Sequence, residues 1–154
     1  MKIVTIFAEQ LFAFHYKDEV DNEYDRLMNL WTDVKYLKEF ALENNIRNIN
    51  DFIENILVYA EEIQDLIEEI VISDERLETY FEALSDSDYL TLILPRQKGK
   101  IKSNILRIYA IKIDENCFVI TGGAIKMSQK MQGHPLTQIE LDKLNFAKKY
   151  LNDN

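Results

Sequence analysis

The sequence predicts an α+β fold, on three observations. Residues 104–113 and 117–121 are strand-like runs joined by the polar turn Asp114, Glu115 and Asn116, which reads as a three-residue antiparallel hairpin. Residues from about 20 to 86 carry apolar side chains three and four positions apart, the repeat of packed helices. Thr137-Gln138-Ile139-Glu140 then forms a capping box, in which the Thr hydroxyl and the Glu carboxylate each satisfy a free amide at a helix start. The helix it opens carries Leu141, Leu144, Ala147 and Leu151 on one side.

In chain order, residues 2–7 and 11–16 read as short strands about Ala8, Glu9 and Gln10. Phe12, Phe14 and Tyr16 share one face of the second strand, and His15 takes the other as a structural histidine. A polar break at 17–22 leads into helix, with Tyr24, Leu27, Trp31 and Val34 at helical spacing and Trp31 as a core anchor. Thr32-Asp33 offers a cap for a second helix to about Asn44, with Leu37, Phe40 and Ala41 inward. One bent helix and two short ones both fit this stretch. After an asparagine-rich turn, a helix over about 50–71 has the clearest stripe: Phe52, Ile56, Tyr59, Ile63, Leu66, Ile67 and Ile70. Its carboxylates lie opposite, and without a Glu-x-x-His pair they read as a solvated face and not a di-iron site. Ser73 or Asp74 then caps a short helix carrying Leu77, Tyr80, Phe81 and Leu84, and residues 89–94 form a strand closed by Pro95.

A chain of 154 residues suffices for one domain with a sizeable core. Its single cysteine, Cys117, excludes an internal disulfide and reads as a strand core residue; with two histidines it makes a poor metal set, so no metal or cofactor is expected. Glu9 interrupts the only apolar run near the N-terminus, and no stretch approaches the ~20 apolar residues of a membrane span, so the expected location is cytoplasmic. The net charge of −9 is unevenly spread: residues 1–90 hold 7 basic and 22 acidic side chains, residues 91–154 hold 11 and 5. That is −15 against +6, an acidic helical part beside a basic surface, although the acid also suits the solvated sides of ordinary helices.

The chemistry concentrates in the basic part. Along the first hairpin strand Leu106, Ile108 and Ala110 share a core face, while Ile105, Arg107, Tyr109 and Ile111 share the other. A guanidinium on an apolar strand is costly to bury, which marks Arg107 as a candidate. Gly122-Gly123 end the second strand and bend the backbone, and Lys126 follows, so the hairpin gathers Arg107, Tyr109 and Lys126. Arg96, Lys98, Lys100 and Lys102 form a basic loop before the hairpin that suits nucleic-acid phosphates; Lys130 and His134 lie in the loop after it. The common nucleotide, zinc, thiol and serine-hydrolase motifs are absent. The remaining cluster suits cleavage of an RNA backbone without metal: Arg107 and Lys126 as fixed charge at the phosphate, His134 or Tyr109 in proton transfer. It equally suits phosphate binding without chemistry.

The order of strand with Arg107, turn, strand, small residues, Lys126 and a helix opened by Thr137-x-x-Glu140 resembles the RelE/ParE superfamily of bacterial toxins. More closely, LRIYAIKIDENCFVITGGAIKM with the later HPLTQIELDKL and the earlier LWTDVKYLKEF looks like ParE-like toxins of type II toxin–antitoxin systems. This closer likeness covers most of the chain; the wider superfamily pattern covers about 90–151. The resemblance implies one domain: a small antiparallel sheet packed against a C-terminal helix and an enlarged acidic helical N-terminal part, about 20–86. It implies a cytoplasmic toxin neutralised by a cognate antitoxin, without cofactor, that recognises mRNA on the ribosome or inhibits DNA gyrase by binding; a homodimer is possible. Arg107 matches the strand arginine of the mRNA-cleaving branch and Lys126 its basic position after the last strand; Lys130 and His134 match loosely. Three functions therefore stand open: an endoribonuclease of RelE type, a non-enzymatic gyrase-binding toxin, and a degenerate, non-toxic interaction module.

Overall fold

A computed structural model describes residues 2–8, 11–72, 76–83, 89–92, 105–126, 139, 142–143, 145–147 and 149–151. The fold is α+β. Strands β1 (Lys2–Ala8) and β2 (Leu11–His15) form the N-terminal hairpin. Helices α1 (Glu23–Trp31), α2 (Val34–Glu43) and α3 (Ile49–Ile72) follow. A 3-10 turn (Leu77–Tyr80) leads into β3 (Phe81–Ala83), then come β4 (Tyr89–Leu92), β5 (Leu106–Asp114) and β6 (Cys117–Ile125). The described residues between 139 and 151 are helical and are called α4. The six strands form one sheet in the order β1-β2-β6-β5-β4-β3, and every described pairing is antiparallel except that of β2 with β6.

The stretch that the sequence left as one helix or two is two. Asn22 caps α1, its side-chain oxygen accepting the Asp25 amide at 3.0 Å. Asp33 caps α2 in extended backbone, accepting the amides of Lys35 at 3.0 Å and Tyr36 at 3.3 Å. Because Asp33 is extended, the helix cannot run through it, and Val34 turns out to solvent and not inward. At the far end of α2, Asn45 takes a left-handed φ of 55° and the Ile46 amide closes on the Ala41 carbonyl at 3.0 Å, a Schellman ending. Helix α3 buries the predicted stripe, with Ala60 fully buried and Tyr59 only partly so.

The short helix expected near Leu77, Tyr80 and Phe81 is instead one 3-10 turn that runs directly into β3. Pairing decides this. Phe81 sits opposite Leu92 in the sheet and stacks on Phe118 at 4.7 Å between ring centroids, contacts that outweigh local helical spacing. Ser73, Asp74, Leu84, Pro95, Thr137 and Glu140, to which caps and boundaries were assigned, lie outside the described residues.

Both faces of the sheet are covered. On one, Leu11, Ala13, Leu106, Ile108, Ala110, Phe118, Ile120 and Ile125 pack with α1, α2 and α3. On the other, Phe14, Tyr109, Ile111, Val119 and Ala124 pack with Ala147 of α4, flanked by Phe12, Tyr16, Tyr150 and Leu151. The predicted alternation of β5 holds from Leu106 to Ile111; Ile105, one residue before the strand, instead packs against the helical layer. Gly122-Gly123 do not end β6, which continues to Ile125. Gly123 serves close approach: a Cβ there would run into the Arg107 carbonyl oxygen and lie 2.8 Å from Leu27 Cδ1.

Candidate functional site

The β5–β6 ladder sets the geometry of the basic cluster. Arg107 lies opposite Ala124 and Tyr109 opposite Gly122, so Arg107 and Tyr109 share the face covered by α4. Lys126 follows β6 directly and its amide donates to the Ile105 carbonyl at 2.7 Å. Strand phase carried on from Gly122 and Ala124 gives Lys126 that same face.

That phase depends on one bulge. Ala110 pairs with Ile120, but Tyr109 pairs with Gly122, so Thr121 stands outside the ladder. Had Thr121 stood opposite Tyr109, every residue from Gly122 to Lys126 would face the other way. Thr121 is fully buried; its carbonyl accepts the Tyr16 hydroxyl at 2.6 Å, and its own hydroxyl donates to the Tyr109 carbonyl at 3.3 Å. Strict alternation read from sequence does not reveal this insertion; the Thr-Gly-Gly run is its one local signal.

The members of the cluster differ in exposure. Arg107 is half-buried and donates from Nη1 to the Leu106 carbonyl at 3.1 Å. Burial draws its pKa below the ordinary value, and the neighbouring Tyr109 opposes that shift. Arginine nevertheless keeps its charge in proteins, so Arg107 supplies a fixed cation. Lys126 is partly exposed. Tyr109 is 1% exposed, in the cluster that includes Ala147 of α4, so it is closed off from solvent. Arg96, Lys98, Lys100, Lys102, Lys130 and His134 lie outside the described residues. The structure thus brings Arg107, Tyr109 and the start of the Lys126 segment to one end of one hairpin.

Helix α4 is tied across the molecule by a buried carboxylate that the sequence reading did not single out. Glu23, 0% exposed, accepts from Arg26 Nε at 2.6 Å and Nη2 at 2.9 Å, and from Lys143 Nζ at 2.8 Å. Lys143 Nζ also lies 5.5 Å from the centroid of the Tyr16 ring. An acidic residue in the first helical turn is so common that Glu23 carries no special mark in sequence.

Other titratable groups have quieter roles. His15 Nε2 lies 2.7 Å from the Glu19 carbonyl oxygen, a local contact at the end of β2. Burial, then Asp114, raises the Cys117 pKa, the opposite of what an activated thiolate needs. Between α1 and α3 is a cleft of about 440 Å³ whose lining includes Asp21, Asp25, Glu68 and Tyr24. Burial, followed by Asp25 and Glu68, raises the Tyr24 pKa, so this phenol stays protonated. Among the described residues no three His, Cys, Asp or Glu side chains are grouped to hold a metal ion, and no helix is long and apolar enough to cross a membrane. Comparison of the chain with family models, curated proteins and solved structures gives no match.

Proposed function

We propose that this chain is the toxin of a type II toxin–antitoxin system, acting in the cytoplasm on an RNA backbone through Arg107 and Lys126. The observation that carries the reading is Arg107: a half-buried guanidinium beside Tyr109, on the same hairpin end as Lys126. A preorganised cation in partly dry surroundings stabilises a phosphate or a phosphorane better than one in free water. In the catalytic form of the reading, Arg107 and Lys126 hold the scissile phosphate and His134 moves the proton, since Tyr109 is buried. A cognate antitoxin would neutralise the protein by covering this surface.

The test uses a short single-stranded oligoribonucleotide and purified protein across a salt series. Arg107→Ala and Lys126→Ala are each expected to weaken binding and to lower the salt slope by about one, as loss of one phosphate contact does. A double variant that is folded and binds with unchanged affinity and slope contradicts the assignment.

The burial of Tyr109 and the acidic cleft favour a second reading, a non-enzymatic binding protein. In that reading the target is DNA gyrase, or the chain is a non-toxic module that docks a basic partner on its acidic helices. Expression would then leave cellular RNA intact, and partner binding through the acidic helices would weaken steeply with salt.

A further inference from the structure

The tandem glycines of β6 leave its register weakly defined at the point that matters for the site. In the observed ladder Gly123 lies opposite Ile108, under Leu27 and Trp31, where a Cβ has no room. If Thr121 joined the ladder opposite Tyr109, Gly122 would occupy that same place. Packing under α1 accepts either glycine, and glycine-rich strands resist slippage poorly. The observed register keeps Ile125 in the helical core and Lys126 out of it, and groups that are satisfied only in this register add to the choice.

Thr121 and Tyr16 are such groups. A bulged residue leaves its carbonyl outside the ladder, and burying that carbonyl without a donor costs about 1–3 kcal/mol. The Tyr16 hydroxyl, 2.6 Å away, supplies the donor from the segment just after β2, across the parallel β2–β6 pairing. The phenol is held in place by its ring, which stacks on Phe14 at 5.9 Å and lies beneath Lys143. We propose that Tyr16 is a positioning residue: by holding the bulge at Thr121 it keeps Lys126 on the face of Arg107. The functional part of this proposal rests on the reading of Arg107 and Lys126 as the phosphate-binding pair; the register part does not.

Tyr16→Phe tests it, because the ring remains and the hydroxyl that donates to Thr121 is removed. Two measurements are made on wild type, Tyr16→Phe, Lys126→Met and the double variant. Amide hydrogen exchange of residues 121–126 is expected to rise roughly five- to tenfold in Tyr16→Phe, about the equivalent of one hydrogen bond, while α3 amides stay unchanged. Binding of the oligoribonucleotide is expected to weaken in Tyr16→Phe, and the double variant is expected to bind no more weakly than Lys126→Met alone. Unchanged exchange at 121–126, or a rise shared equally by α3, overturns the register role. Additive losses in the double variant overturn the action through Lys126. Absence of oligoribonucleotide binding by wild type overturns the RNA reading, and with it the action at a phosphate site, while the exchange result still decides the register role.

Discussion

Arg107 stands on the face of β5 that it shares with Tyr109, in a strand whose other side chains up to Ile111 are apolar or aromatic. Its isolation on an apolar strand marked it, and the structure places it half-buried beside Tyr109. What the strand pattern could not give is that α4 covers the same face, leaving Tyr109 1% exposed. Gly123 teaches a related point: it looked like a strand end, yet it is a strand interior where another chain segment comes close. Gly123→Ala is therefore expected to destabilise the protein by about 1–3 kcal/mol, the usual cost of overpacking, measured as a lower urea midpoint with unchanged slope. Glu78 gives a prediction in pH. It accepts the Asn116 amide at 2.8 Å, and that bond, helped by Arg76 and Lys112, holds its carboxyl at about 2 against an ordinary 4.5. A depressed carboxyl contributes stability above pH 4.5 that is lost as pH falls through about 2. Glu78→Gln should flatten that part of the acid limb in urea midpoints recorded against pH. Because Glu78 is partly solvated, the contribution is small, about 1 kcal/mol or less.

At the scale of elements, caps and ties decide more than propensity does. Asp33 starts α2 one residue after Thr32 closes α1, so Asp33→Ala should cost about 1 kcal/mol, read by chemical denaturation. The sequence contained the cap but not its consequence, because a cap in extended backbone reads the same whether the helices bend or break. The segment at Leu77, Tyr80 and Phe81 was missed for a different reason. Its spacing is helical, but its partners, Leu92 in β4 and Phe118 in β6, are distant in sequence and invisible to any local pattern. Helix α4 is tied to α1 by Lys143 on buried Glu23. Lys143→Met is expected to loosen α4 by about 1–3 kcal/mol, the worth of a hydrogen bond to a charged group. Hydrogen exchange would show this as faster exchange in α4 with α3 unaffected; equal acceleration of both would mean that α4 does not move on its own.

For the whole molecule, the class and most of the element order follow from periodicity, because amphipathic helices and alternating strands each need only one buried side. The parallel β2–β6 pairing does not follow, since it joins segments about a hundred residues apart and nothing local encodes it. That pairing sets the N-terminal hairpin against the candidate site and lets Tyr16 reach Thr121. The charge split gains a physical meaning from the layers: α1, α2 and α3 pack on one face of the sheet, with α3 carrying seven carboxylates and no basic side chain, and the face of Arg107 is the other. Negative charge is thereby held on the side of the sheet away from the proposed phosphate surface. The most direct test of the central claim is growth and total mRNA after tightly controlled expression, with wild type beside a folded Arg107→Ala/Lys126→Ala variant. The account predicts that wild type stops growth and mRNA is lost early, and that the variant does neither. Growth arrest with mRNA intact, or equal toxicity of the variant, would contradict it.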